Sequence, residues 1–167
     1  MPTASRRQAR ITALQALYEV DTTDHTAEEV LVRLFNEPMS ESGTQPEPLG
    51  EDTRTFAREL VEGVLGHRDD LDAIISKSAP KWPVDQMSRV DKSILRLAIF
   101  EILFDNKVPL KAAINEAVEL GKRFGSDDSS RFINGVLGTV AAQQQPRTRK
   151  QQKAGSAPAP DNSGEKE

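Results

Sequence analysis

Apolar residues recur at three- and four-residue spacing along most of this chain, the repeat that lines one face of an α-helix. Ile11, Leu14, Leu17 and Tyr18 mark a first helix over residues 6–22. Val30, Leu31, Leu34 and Phe35 mark a second over Ala27–Asn36. Phe56, Leu60, Val61, Val64 and Leu65 carry a third over residues 54–66. Leu71, Ile74 and Ile75 carry a short fourth, which must end near Lys81-Trp82-Pro83, because proline lacks the amide that a helix needs.

Ser88 with Asp91 three residues on has the spacing of a capping box, in which side chain and backbone satisfy each other's orphan donors. Over residues 94–104, nine of eleven positions are apolar. A helix apolar on nearly all sides is surrounded by protein, so this one is predicted to be central. Leu110, Ala113, Ile114, Ala117, Gly121 and Phe124 form the next stripe, with Gly125 where a left-handed C-terminal cap belongs. Ser126, Asp127 and Asp128 offer N-caps to a last helix striped by Ile133, Val136, Leu137 and Val140. Asn134-Gly135 is a usual turn signal, yet the helical spacing runs straight through it. We read it as helical, with Gly135 permitting close helix contact. No segment alternates with period two. The expected fold is all-α, with about seven helices.

Two segments break the pattern. Residues 38–53, with three prolines and two glycines, read as a long loop. Residues 143–167 hold three alanines as their only apolar side chains and cannot bury enough surface to offset ordering. The expected organisation is a helical domain over 1–142 and a disordered polar tail over 143–167.

Composition narrows the chemistry. The 167 residues include no cysteine, which removes thiolate nucleophiles and cysteine zinc sites. Only His25 and His67 offer imidazole, and His67, beside Arg68-Asp69-Asp70, reads as a surface residue at a helix end. Glu116 and Glu119 are one turn apart, but they read as a solvated helix face. Asp127 and Asp128 suit the positive end of the last helix. No metal, no cofactor and no enzymatic activity are expected. The basic N-terminus has no apolar segment behind it, which points to the cytoplasm.

Charge is uneven. The tail carries five Lys or Arg against three Asp or Glu, so the body's net charge is −6 where the whole chain's is −4. An acidic body repels nucleic acid unless its cations are grouped. Arg6, Arg7 and Arg10 are grouped, within an arc of roughly 100° on the first helix. Cations at a helix N-terminus oppose its dipole, and guanidinium groups suit phosphate. Tyr18 adjoins that arc, and Phe132 follows Arg131 at the start of the last helix. Arginine beside aromatic is the pairing that holds a backbone while stacking unpaired bases.

The segments RRQARITALQALYEVD, VDKSILRLAIFEILF and VPLKAAINEAVELGKRFGSDDSSRFINGVLG closely resemble, in that order, the NusB family of transcription antitermination factors. The resemblance covers residues 5–142. It implies two small helical bundles packed side by side and a non-enzymatic function. It implies binding of single-stranded boxA RNA of ribosomal RNA leader transcripts together with the ribosomal protein NusE, in a complex with RNA polymerase. Carried over by position, it implies RNA contacts for Arg6, Arg7, Arg10, Gln15, Tyr18, Asp128, Arg131 and Phe132, and makes Glu101 a candidate for NusE binding. Some members of the family pair with themselves, so a homodimer is a further possibility.

Two rivals belong to other classes. One is the helical module of a ribosomal RNA methyltransferase, which needs a nucleotide-binding domain and a cysteine. The other is an interaction scaffold that touches RNA weakly.

Overall fold

The computed structural model of the protein describes residues 3–39, 47–105 and 107–156, with side chains for those between 4 and 143. Seven α-helices occupy them: α1 Thr3–Thr22, α2 Ala27–Asn36, α3 Glu51–Gly66, α4 Arg68–Ser78, α5 Arg89–Phe100, α6 Leu110–Phe124 and α7 Ser129–Ser156. There is no strand among the described residues. Helices α1, α2 and α3 pack on one another, as do α4, α5, α6 and α7; α5 touches both groups. It is the central helix, with residues 93–100 all buried, Ile94, Leu95 and Ile99 completely.

The local reasons for these elements are mostly those the spacing predicts. Helix α2 starts on a capping box that the sequence reading missed. Thr26 Oγ1 accepts from Glu29 N, and Glu29 Oε1 accepts from Thr26 N, each at 3.2 Å. Helix α5 has half of the predicted box: Ser88 Oγ accepts from Asp91 N at 3.0 Å. Helix α3 begins at Glu51 rather than Arg54, with Glu51 and Asp52 in the first turn, where the dipole favours acids. The middle of the predicted loop, residues 40–46, lies outside the described residues.

Four expectations change. The central helix does not run as α-helix to Phe104; it gives way to a π-turn over Glu101–Asp105. Gly125 is extended (φ −92°), not left-handed. Its need for glycine is space, since a Cβ there would lie 2.3 Å from Ser129 Oγ and 2.8 Å from the Gly121 carbonyl. The bonds at the α6–α7 corner run opposite to a cap from Ser126–Asp128: Ser129 Oγ accepts from Ser126 N at 2.8 Å. Gly135 is helical, but a Cβ on it would meet nothing within 4 Å. The glycine that admits a neighbouring helix is Gly121, whose Cβ would lie 2.9 Å from Ile133 Cδ1 and 3.3 Å from Ser130 Cα.

Helix α7 continues to Ser156, and its stripe is buried through Val140. Of the predicted tail, residues 157–167 lie outside the described residues.

Candidate nucleic-acid interface

The start of α1 carries the three predicted arginines, and the fold treats each differently. Arg6 is half-buried beside Phe56, Glu59 and Lys107. Arg7 is half-exposed and forks onto Glu116 of α6, with Nε 3.1 Å from Oε1 and Nη2 2.8 Å from Oε2. That hydrogen-bonded guanidinium holds the Glu116 carboxyl below its ordinary value, against the opposing effect of partial burial and with help from Arg10. Glu116 is therefore a partner of Arg7, not part of a solvated face.

Arg10 is the correction. Its side chain is 4% exposed and forks onto Glu101, with Nε and Nη2 each 2.9 Å from a carboxylate oxygen. Its guanidinium lies 5.6 Å from the centre of the Phe56 ring. Helical spacing placed Arg10 on the arginine arc, but that arc straddles the boundary between solvent and core. A guanidinium buried there needs a carboxylate, and the π-turn supplies Glu101. Both charges are nearly closed to solvent, facing each other rather than the surface. His67 lies at a helix end as expected, but less exposed than a surface position. It is half-buried at the α3–α4 joint, with Nδ1 2.8 Å from the Gly63 carbonyl and its ring 4.3 Å from that of Phe104.

Two turns further along α1, Gln15 and Tyr18 line a mostly apolar cavity of about 540 Å³ with Leu14, Met39, Val90 and Phe124. Tyr18 is 42% exposed. Gln15 Oε1 is buried without a hydrogen-bond partner among the described residues. Asp128, Arg131 and Phe132 line a second cavity, of about 550 Å³, with Trp82, Gln86, Met87, Ser88 and Asp91. Asp128 and Arg131 are exposed, and Phe132 is half-buried. The start of α5 contributes to both cavities: Val90 lines the first, and Met87, Ser88 and Asp91 line the second.

The predicted residues thus fall into two groups. Gln15, Tyr18, Asp128, Arg131 and Phe132 lie on two cavities that the start of α5 also lines. Arg6 and Arg7 lie about 12 Å back along α1, at 1.5 Å per residue. Sequence reasoning missed Trp82, which is 61% exposed with its ring edge-on to Phe132, centroids 5.9 Å apart. It was read only as a helix stop. The available signal was an aromatic outside every apolar stripe, set between Lys81 and Pro83. No group of three or more His, Cys, Asp or Glu among the described residues could hold a metal. Among the described residues, no helix is long and apolar enough to cross a membrane.

The fold is that of the all-helical antitermination factors. It matches NusB of T. maritima at TM-score 0.73 and 28% identity, covering 90% of this chain and 98% of that one. It also matches, at TM-score 0.71 and 24% identity, a chain from a crystal structure of antitermination factors NusB and NusE with double-stranded RNA, over 85% of this chain and 99% of that one. The NusB family model matches residues 7–142. The transcription antitermination protein NusB of Chloroflexus aggregans is 54% identical over 140 residues, 82% of this chain and 87% of that protein. The chain belongs to the NusB family.

Proposed function

We propose that this chain is a transcription antitermination factor that binds single-stranded boxA-type RNA together with NusE, within a complex that joins RNA polymerase. The observation that carries the proposal is Tyr18, Phe132 and Arg131 on two cavities that the start of α5 also lines, in a chain of the NusB family. Exposed aromatics stack unpaired bases of any kind, and neighbouring guanidinium groups hold the backbone between them. Arg6 and Arg7 extend the contact along the phosphates, Arg7 exchanging Glu116 for a phosphate oxygen. Gln15 and Asp128 are placed to meet base edges. The role is non-enzymatic and cytoplasmic, and a homodimer would be a storage form that covers these residues.

Salt dependence tests the backbone contacts. Four arginines would give a slope of log affinity against log salt near −2.8, at about −0.7 per contact to single-stranded RNA. With Arg10 buried, Arg6, Arg7 and Arg131 remain, and the expected slope is about −2.1. Arg7→Ala should flatten it by about 0.7. A slope near zero would remove the proposed contacts, and an unchanged slope for Arg7→Ala would remove that residue from them.

A further inference from the structure

Helix α6 presents the Glu116 carboxylate to Arg7, which forks onto it through Nε at 3.1 Å and Nη2 at 2.8 Å. A guanidinium offers the same parallel pair of N–H donors to a carboxylate as to a phosphate. Glu116 therefore takes, in the protein by itself, donors that a backbone phosphate would use. The Glu116 side chain is 15% exposed and that of Arg7 is 52% exposed, so the carboxylate is seated in the protein while the guanidinium stands at the surface. Its charge is complete at neutral pH, because the Arg7 hydrogen bond holds the carboxyl below its ordinary value.

The seat of Glu116 is built from the core side. Arg10 lies behind it, with Nη1 3.8 Å from Oε1, within reach of attraction but not of a hydrogen bond. Arg10 is itself forked onto Glu101, 2.9 Å on both arms, and is closed to solvent. Arg7, Glu116, Arg10 and Glu101 thus form a chain of alternating charge from surface to core. Arg10 draws the Glu116 carboxylate to one place, so it meets Arg7 as a fixed rival rather than as a passing contact. Arg10 also stays with the carboxylate when Arg7 leaves, so the exchange strands no partly buried charge. The pair of Glu119 with Lys122, 3.8 Å apart on the same helix with both side chains more than half exposed, has no such support from the core.

We infer that Glu116 is a built-in competitor for the RNA backbone. Its carboxylate holds Arg7 against an incoming phosphate and keeps the affinity of the chain below what its arginines would give alone. The inference rests on the RNA-binding reading above and adds to it a residue that lowers affinity, positioned by a buried ion pair. Glu116 acts through Arg7 and makes no contact of its own with the transcript.

The test is a double-mutant cycle on the full chain, read by anisotropy of a labelled single-stranded boxA-type RNA at fixed salt, with and without NusE. Glu116→Gln should tighten binding by about 2- to 5-fold, the worth of a partly exposed ion pair. In the Arg7→Ala background the same replacement should change nothing, because the donors it would release are gone. Glu119→Gln removes the same charge one turn along α6 and should leave affinity nearly unchanged. Glu116→Asp keeps the charge but draws it back from the guanidinium, and should tighten binding by less; it carries the test if Glu116→Gln melts below the assay temperature. Urea titrations supply a readout that a merely structural role would not give: Glu116→Gln should be less stable than the parent at neutral pH, yet bind RNA more tightly. Affinity of the folded variants at or below the parent's overturns the inference and makes Glu116 a support for Arg7, with RNA binding left standing. Tightening that survives Arg7→Ala, or that Glu119→Gln reproduces, also overturns it, since the cause is then the general negative field. No RNA binding by parent or variants, with or without NusE, overturns the RNA-binding reading and the competitor with it.

Discussion

The ion pairs at the start of α1 show how much one residue's surroundings decide. Arg10 and Glu101 are both nearly closed to solvent, so removing either partner leaves an uncompensated buried charge. Glu101→Gln or Arg10→Ala should each destabilise the fold by about 3–5 kcal/mol in urea titrations. The double replacement Arg10→Met with Glu101→Leu should be far milder than the sum, because no charge is then stranded. Additive losses would show that the pair is not coupled. Arg7 and Glu116 lie nearer the surface and predict a pH effect instead. The Glu116 carboxyl is held below its ordinary 4.5, chiefly by the Arg7 hydrogen bond. A lowered folded value means that the unfolded chain takes up the proton first as pH falls. The contribution is therefore complete above about 4.5 and lost as pH drops through the folded value. Glu116→Gln should lower stability at neutral pH and flatten the acid side of the stability–pH curve, so that variant and parent converge at low pH. A steep acid limb in that variant would assign the effect to other carboxylates.

At the level of elements, most of the fold was legible because helices advertise themselves through spacing. Most of the stripe residues of α1, α2, α3, α6 and α7 are buried, although Tyr18 is exposed and Leu34, Leu65, Leu110, Ile114 and Phe124 are half-buried. What spacing could not reveal was the change of phase after Phe100. Nine apolar residues in eleven suggested a helix surrounded on every side. The π-turn instead directs Glu101 inward to Arg10 and leaves Phe104 41% exposed against His67. The partner that the turn brings to Glu101, the buried Arg10, is 91 positions away. The same limit applies to glycines, whose partners lie on other helices. A Cβ on Gly63 would fall 2.0 Å from Cζ of the buried Phe100 ring. Gly63→Ala should therefore cost about 1–3 kcal/mol through overpacking, despite gaining helix propensity. Gly135, the residue that the sequence pattern nominated for close packing, has open space around its Cα. Gly135→Ala should stabilise α7 by about 0.5–1 kcal/mol. Thermal melts of the two variants moving in the same direction would contradict this distinction.

Over the whole molecule, the difficulty is charge. The body is net −6 by sequence, and of the three arginines at the start of α1, one is buried and another is paired with Glu116. The sequence showed the aromatic and cationic residues but not their arrangement, because periodicity gives the face of each helix and not which faces meet. It could not show that the start of α5 lines the cavity of Gln15 and Tyr18 as well as that of Asp128, Arg131 and Phe132. So arranged, these residues offer stacking but little electrostatic attraction, and a transcript should bind the isolated chain weakly. A partner that contributes cations beside them, or that fixes their geometry, would lower the cost of binding. Such coupling is reciprocal: whatever factor NusE adds to RNA affinity, RNA must add to NusE affinity. The expected factor is about 5- to 150-fold, the usual range for coupled sites. Anisotropy of labelled boxA-type RNA, with and without saturating NusE, gives one arm of the cycle. Calorimetry of NusE binding, with and without that RNA, gives the other. Equal factors well above one would mean that chain and partner form the RNA site jointly. A factor of one in both arms, with measurable binding of each ligand alone, would mean that these residues work unaided and that the acidic body imposes no penalty worth relieving.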